Sequence, residues 1–375
     1  MTRINRIFAT LLLAAFAFAG TACDSLLQVS NPGAVGEDAL QSEEALTVVV
    51  DGVYGDLQDA LDEVVEFAAL MTDELAHSGS FPSYAQIDDR EIVNNNVEII
   101  DLFQEIATAR FSADQAAALI RAVLGPAAES DARLAEALNY GGYARIFYAD
   151  NFCQATIDGG PALSPAELYG QAEDLFTEAI AVATAAGDAE MENLARVGRA
   201  RARLNLGDNG GALSDAQAVP AGFEFFIEFS DNSARETNEV WIFTVSRNEM
   251  SIGEPFWNHP GIEQCSVHPA STVGPCPFNI TGPFGPDNET PLFVPLKYGD
   301  VQSNGGADIR LASGEEAALI AAEAAGQDVS EERSITLFLE GHRLADMRRN
   351  GDAFLAGGDS CFPIPDREVD TNPNL

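Results

Sequence analysis

Apolar positions recur at helical spacing through most of the first 220 residues. Starting near Ser42, with Glu43 and Glu44 in a first turn, the residues Leu46, Val49, Val50, Val53, Tyr54, Leu57 and Leu61 hold one face. A second helical stretch, 63–75, continues it, and 77–90 is a polar break carrying Phe81-Pro82-Ser83-Tyr84. The pattern then predicts helices over 97–111, 113–124, 131–148, 165–186, 189–206 and 210–218. Short helices joined by short loops predict hairpins stacked side by side. One unit is more specific. In 194–220, Gly198, Ala200 and Ala202 are small where two helices must approach, and Leu206-Gly207-Asp208 makes the turn. Ala212, Ala216 and a closing Pro220 follow at the spacing of a tetratricopeptide unit.

The texture changes after Pro220. Phe223, Phe225, Ile227 and Phe229 alternate with Glu224, Phe226, Glu228 and Ser230, which predicts a strand, and the apolar run 238–245 predicts another with Trp241 in the core. The stretch 253–298 reads as loop, rich in Pro and Gly and punctuated by aromatic residues. Helical spacing returns over 315–325 and again over 330–351, where Ile335, Phe338, Leu339, His342 and Ala345 share a stripe. In that last stretch Ser330 is placed to cap the start and Asn350-Gly351 to stop the helix. Gly341, in its middle, costs about 1 kcal/mol against alanine, so a neighbouring backbone is expected to press close to it. The prolines of the tail predict an extended C-terminus. The fold class expected is mostly α, a helical-hairpin scaffold with an irregular, loop-rich binding part and few short strands.

Charge narrows the function. The 375 residues hold 59 acidic and 20 basic side chains, a net charge of −39, and 46% are hydrophobic. Such a chain folds, but its surface excludes nucleic acid and disfavours polyanionic ligands, both of which need basic patches. A neutral ligand or a partner with basic patches fits better.

The front end adds a location. Arg3 and Arg6 precede an apolar run over 7–19, too short to span a bilayer, so 1–22 reads as an export signal. Ala19-Gly20-Thr21-Ala22-Cys23 resembles a bacterial lipobox, making Cys23 the lipidated residue, and 23–40 reads as a tether. Ordinary secretory cleavage after Ala17-Phe18-Ala19 is the alternative. Two regions follow, 41–220 helical and 221–375 loop-rich.

In an exported protein the four remaining cysteines, Cys153, Cys265, Cys276 and Cys361, permit two disulfides in any of three pairings. Pairing Cys265 with Cys276 would close a Pro-rich loop and leave Cys153 with Cys361. His259, Cys265, His268 and Cys276 lack metal-site spacing, so no metal or other cofactor is expected. His342, on an apolar stripe, reads as a core histidine. The sequence holds no G-x-S-x-G, H-E-x-x-H or phosphate-loop motif. The chain is therefore expected not to be an enzyme. Aromatic residues in loops on a rigid helical body suit binding, which singles out Phe81, Tyr84, Phe256, Trp257 and Tyr298 as ligand contacts.

The stretch Leu339-Glu340-Gly341-His342-Arg343-Leu344-Ala345-Asp346-Met347-Arg348-Arg349 is followed by Phe362-Pro363-Ile364-Pro365 and by Asp370-Thr371-Asn372-Pro373-Asn374-Leu375. Together they resemble the C-terminal motifs of the SusD/RagB family, outer-membrane lipoproteins of glycan- and peptide-acquiring bacteria. The resemblance implies a surface-exposed, lipid-anchored subunit without cofactor. It would bind a glycan or oligopeptide and deliver it to a SusC-like TonB-dependent transporter, with the hairpins packed on the transporter and the aromatic loops facing the ligand. Glu340, Arg343 and Asp346 would then fix the crossing at Gly341. The competing expectation is an exported tetratricopeptide-type scaffold that binds no nutrient.

Overall fold

In the helical region the sequence marks the ends of its own elements. Gly187 and Gly207 sit in the left-handed region, with φ of 75° and 79°, and close one helix each. Asp188 and Asp208, the next residues, accept backbone N–H bonds that open the following helices. Each Gly-Asp pair is thus a complete hairpin corner. Ser164 and Glu167 form a reciprocal capping box at another helix start.

The computed structural model describes residues 42–299 and 305–375. The segment up to Ala45 and the body Leu46–Leu375 are separate units. Of the first, the described part is a 3₁₀ turn over Glu43–Ala45. The predicted leader, tether and Cys23 lie outside the described residues.

Within the body, α1 (Leu46–Leu70), α2 (Pro82–Asp88), α3 (Val97–Leu124), α4 (Ala132–Asn151), α5 (Pro165–Ala186), α6 (Ala189–Leu206) and α7 (Asn209–Ala216) come first. From α3 to α7 each long helix packs on its neighbour in sequence, and α1 lies against α3 and α4. The predicted pairs of helices on either side of residues 62 and 112 are each one continuous helix, because no breaker separates them. Phe176 of α5 enters notches at Gly142 of α4 and Gly198 of α6. A Cβ at Gly142 would lie 2.6 Å from the ring, and at Gly198 the ring also leaves no room. Gly198, one of the small residues read at 198–202, is there for this insertion.

After Pro220 the order is β2 (Glu224–Ile227), α8 (Glu239–Trp241), β3 (Met250–Ile252), β4 (Gln264–Cys265), β5 (Val294–Pro295), β6 (Ile309–Ser313), α9 (Gly314–Ala324), α10 (Ser330–Thr336), α11 (Arg343–Asn350) and α12 (Asp366–Thr371). The strand β1 (Leu75–His77) belongs to the earlier part and pairs antiparallel with β3; β2 pairs with β6 and β4 with β5, also antiparallel. As the alternation predicts, Phe225 and Ile227 of β2 point inward.

Three expectations need correction. The run 238–245 is α8 followed by a π turn, not a strand. Asn238 caps it by accepting the Trp241 N–H (3.1 Å), and Asp62 accepts the Glu239 N–H (2.9 Å). Trp241 is accordingly only half-buried. The stretch 330–351 is two helices, α10 and α11, joined by a tight turn in which Leu339 and Gly341 take φ of 55° and 79°. Gly341 is needed for that turn, while its open side faces Val64 and Val65 of α1 at ordinary contact distance. The tail is not wholly extended, since α12 begins directly after Pro365.

The predicted anchors of this stretch sit in ion pairs. Arg343 binds Asp73 (2.8 Å), and Asp346 binds Arg333 (2.7 Å) and Arg349 (2.8 Å). Glu340 binds Arg310 (3.0 Å) and Lys297 (2.5 Å). His342 is buried, and burial holds its imidazole well below the usual histidine range. Arg201 of α6 and Glu316 of α9 form a further buried pair (2.7 Å) that ties the helical region to the later one. The cysteines form two disulfides, Cys153–Cys361 and Cys265–Cys276.

Candidate functional site

The loop after β3 is pinned residue by residue. Gly253 N–H donates to the Glu74 carbonyl (2.9 Å), and the Trp257 indole N–H donates to the Ile252 carbonyl (2.6 Å). Gln264 accepts the Asn258 N–H (3.1 Å) and donates to the Phe256 carbonyl (2.9 Å). His259 Nδ1 accepts the Gly261 N–H (3.1 Å), which leaves Nε2 as the proton-bearing nitrogen. The disulfide Cys265–Cys276 then closes the adjoining loop. These bonds satisfy the polar backbone of a segment without regular structure and give it one conformation.

This loop faces α10 across a groove. A cleft of about 640 Å³ lies between His259 and residues 328–336, with Asp328, Glu331, Glu332, Ile335 and Thr336 on its wall. Two further clefts adjoin it. One, about 310 Å³, reaches Asp73, Phe256 and Arg343; the other, about 270 Å³, reaches Ile262, Lys297 and Phe338. Ile335 lines all three. Gly261 touches it so closely that an added Cβ would lie 2.6 Å from its γ-methyl. The groove is therefore continuous and pinched at Gly261–Ile335. Phe256 and Phe338 pack against each other at the base, ring centres 5.2 Å apart.

The turn between α10 and α11 supports this base. Lys297, the one lysine in the sequence, donates to the Phe338 carbonyl (2.7 Å). Tyr298 donates its hydroxyl proton to the Leu339 carbonyl (2.7 Å), and Glu74 accepts the Leu339 N–H (3.1 Å). Burial pushes the Glu74 carboxyl up to about 8. On the rim, the Ser330 N–H holds the exposed Asp328 carboxylate below its ordinary range.

Of the aromatic residues picked out in the sequence, only Phe256 lines the groove. Trp257 stands behind it, half-buried and stacked on Phe293 at 4.7 Å and 15°. Tyr298 is buried beneath the floor. Phe81 and Tyr84 lie together elsewhere, Tyr84 buried against Phe67 and Phe243, with the Arg247 guanidinium over Phe81 at 4.9 Å. Since Cys265 and Cys276 bind each other, their sulfurs are withdrawn from any metal set with His259 and His268.

Sequence reasoning missed His259, Ile335, Lys297 and the Asp73–Arg343 pair as groove residues. Ile335 was legible only as a helix-stripe position. The contact of loop with helix depends on a register that spacing does not encode.

No family model matches the sequence, and no curated protein does. Solved structures do. A SusD superfamily protein from Bacteroides thetaiotaomicron VPI-5482 superposes with a TM-score of 0.69 at 14% identity, covering 88% of this chain and 98% of that one. A SusD homolog from the same organism gives 0.68 at 13%, covering 88% and 96%. A laminarin-binding SusD-like protein gives 0.59 at 15%, covering 89% and 100%. This chain has the fold of the SusD superfamily.

Proposed function

We propose that this chain is a non-catalytic nutrient-binding protein that holds an oligosaccharide in the groove between the 253–263 loop and α10. The observation that carries the reading is that groove: concave and pinned, with an apolar base and a polar rim, on a SusD-superfamily fold. A glycan is favoured over a peptide because one structural neighbour is a laminarin-binding protein. The lipobox-like leader ending at Cys23 supports attachment to the outer membrane by lipid, with delivery of the ligand to a SusC-like TonB-dependent transporter.

Two measurements test this. Calorimetry with soluble glucans and oligopeptides is expected to give heat with a glycan, and Ile335→Asp is expected to remove it. Flat titrations across both sets favour the envelope scaffold instead, the reading that the stacked hairpins alone would support. Purification from membranes in mild detergent is expected to bring down a large β-barrel partner; recovery of the chain alone counts against delivery.

A further inference from the structure

Asp73 and Glu74, between α1 and β1, tie together the loop, the turn and the helix that surround the groove. The Glu74 carbonyl accepts the Gly253 N–H (2.9 Å) where the 253–263 loop begins, and a Cβ on Gly253 would lie 2.0 Å from the Asp73 carbonyl oxygen. The Asp73 carboxylate takes the Arg343 guanidinium of α11 through two bonds of 2.8 Å. Glu74 Oε1 accepts the Leu339 N–H (3.1 Å), in the turn whose Phe338 carbonyl is held by Lys297. Glu74 Oε2 stands apart: it is buried and, among the described residues, it has no hydrogen-bond partner. A neutral acid tolerates such a place, whereas a carboxylate there would bury an unmatched charge.

From this we infer that Glu74 is the residue that positions the groove for its ligand, and that it does so only while it keeps its proton. The inference rests on the glycan-binding reading above. Once ionised, the carboxylate needs a partner for Oε2, and the cations that act on it are Arg343 and Lys297, both of which line the groove. Arg343 would be drawn from Asp73, or Lys297 from Glu340 and the Phe338 carbonyl. Either move disturbs the base where Phe256 and Phe338 meet. The other groups that face Glu74 offer no relief. Asp73 opposes its charge, the Tyr298 hydroxyl is committed to the Leu339 carbonyl, and the loop meets it with Gly253, which has no side chain. Glu340 and Arg310 of β6, around Tyr298, bind each other. Burial sets the Glu74 carboxyl at about 8, so affinity is full below that value and falls above it.

The test is calorimetry with laminarin on the full chain from about pH 6 to about pH 9, where release of one proton predicts a fall in affinity of about tenfold. Glu74→Gln keeps an acceptor for the Leu339 N–H and cannot ionise, so its affinity is expected not to change over that range. Glu136→Gln removes another raised carboxyl, one in α4 that lines none of the three clefts, and is expected to leave the fall in place. Amide hydrogen exchange over 253–263 and 337–341, without sugar, reads the same event directly. Parent and Glu74→Gln compared at one pH are expected to match at the acidic end, with the parent about tenfold faster at the alkaline end. A flat affinity profile in the parent overturns the inference while leaving glycan binding intact, whether or not the glutamine variant folds. A fall that persists in Glu74→Gln also overturns it. Silence with laminarin at every pH counts against the glycan reading, and the exchange comparison then decides the inference by itself: equal rates throughout overturn it.

Discussion

The helices of 46–216 and the loops of 220–375 reach order by different means. In the first, long helices pack on neighbours in sequence, two corners are Gly-Asp pairs, and the helices interlock through apolar packing, as where the Phe176 ring fills notches in the helices on either side. In the second, order depends on links between distant residues. Glu340 gathers Lys297 and Arg310, Asp346 gathers Arg333 and Arg349, and Arg343 reaches back to Asp73. A scaffold built from local contacts tolerates exposure of its surface; a loop surface held by distant charges keeps its shape only while every partner is present. The groove is made by the second method.

The sharpest way to break the contrast is to cut the link between the two regions. Cys153 follows α4 and Cys361 lies in the tail, 208 residues away, whereas Cys265–Cys276 spans 11. Loop-closure entropy predicts that Cys153→Ser with Cys361→Ser costs about 5 kcal/mol and Cys265→Ser with Cys276→Ser about 3 kcal/mol. Urea unfolding of the two variants side by side checks the order. Next, Glu316→Leu leaves the buried Arg201 charge without its partner and is expected to destabilise by about 3–5 kcal/mol, with Arg201→Leu/Glu316→Leu recovering much of the loss. A double variant as unstable as the single would show that the pair does not act as a unit.

Gly341→Leu is a smaller break. It places a side chain at φ 79° and against Val64 and Val65, with an expected loss of about 2 kcal/mol in thermal unfolding. Ligand affinity well below the melting temperature is expected to hold. A melting curve like that of the parent would mean the turn accepts other residues.

The mildest probe is pH. Burial raises the Glu74 carboxyl to about 8 and the Glu136 and Glu105 carboxyls to about 7, and burial together with the Glu105 charge raises Glu63. Between the ordinary carboxylate pKa of about 4.5 and these values the folded chain holds protons that the unfolded chain has released. Stability must then fall as pH rises through that window. Melting temperatures are expected to be highest at mildly acidic pH and to decline toward pH 8. Paired carboxylates such as Asp346, lowered below their ordinary range by Arg333 and Arg349, act oppositely but only in stronger acid. A flat profile from mildly acidic to alkaline pH would mean these carboxyls are not buried as described.

How much could be read in advance follows the same division. The helical spans 165–186 and 189–206, the turn at Gly207 and the small Gly198 that faces Phe176 are local chemistry and were legible. The strand expected at 238–245 failed because an apolar, β-branched run says what is buried, not which backbone buries it. Asn238 as a cap and Asp62 from α1 decide for a helical turn. The helix expected across 330–351 failed because its apolar stripe is continuous even though Leu339 and Gly341 reverse the backbone. The groove was least legible, since Gly261 against Ile335 and Lys297 against Phe338 are pairings between distant stretches.

Lys297 has one practical consequence. With no other lysine in 375 residues, an amine-selective acylating reagent has a single side-chain target, and that target lines the groove. Mass increase at that one position, followed against time with and without sugar, becomes an occupancy meter that requires no engineered label.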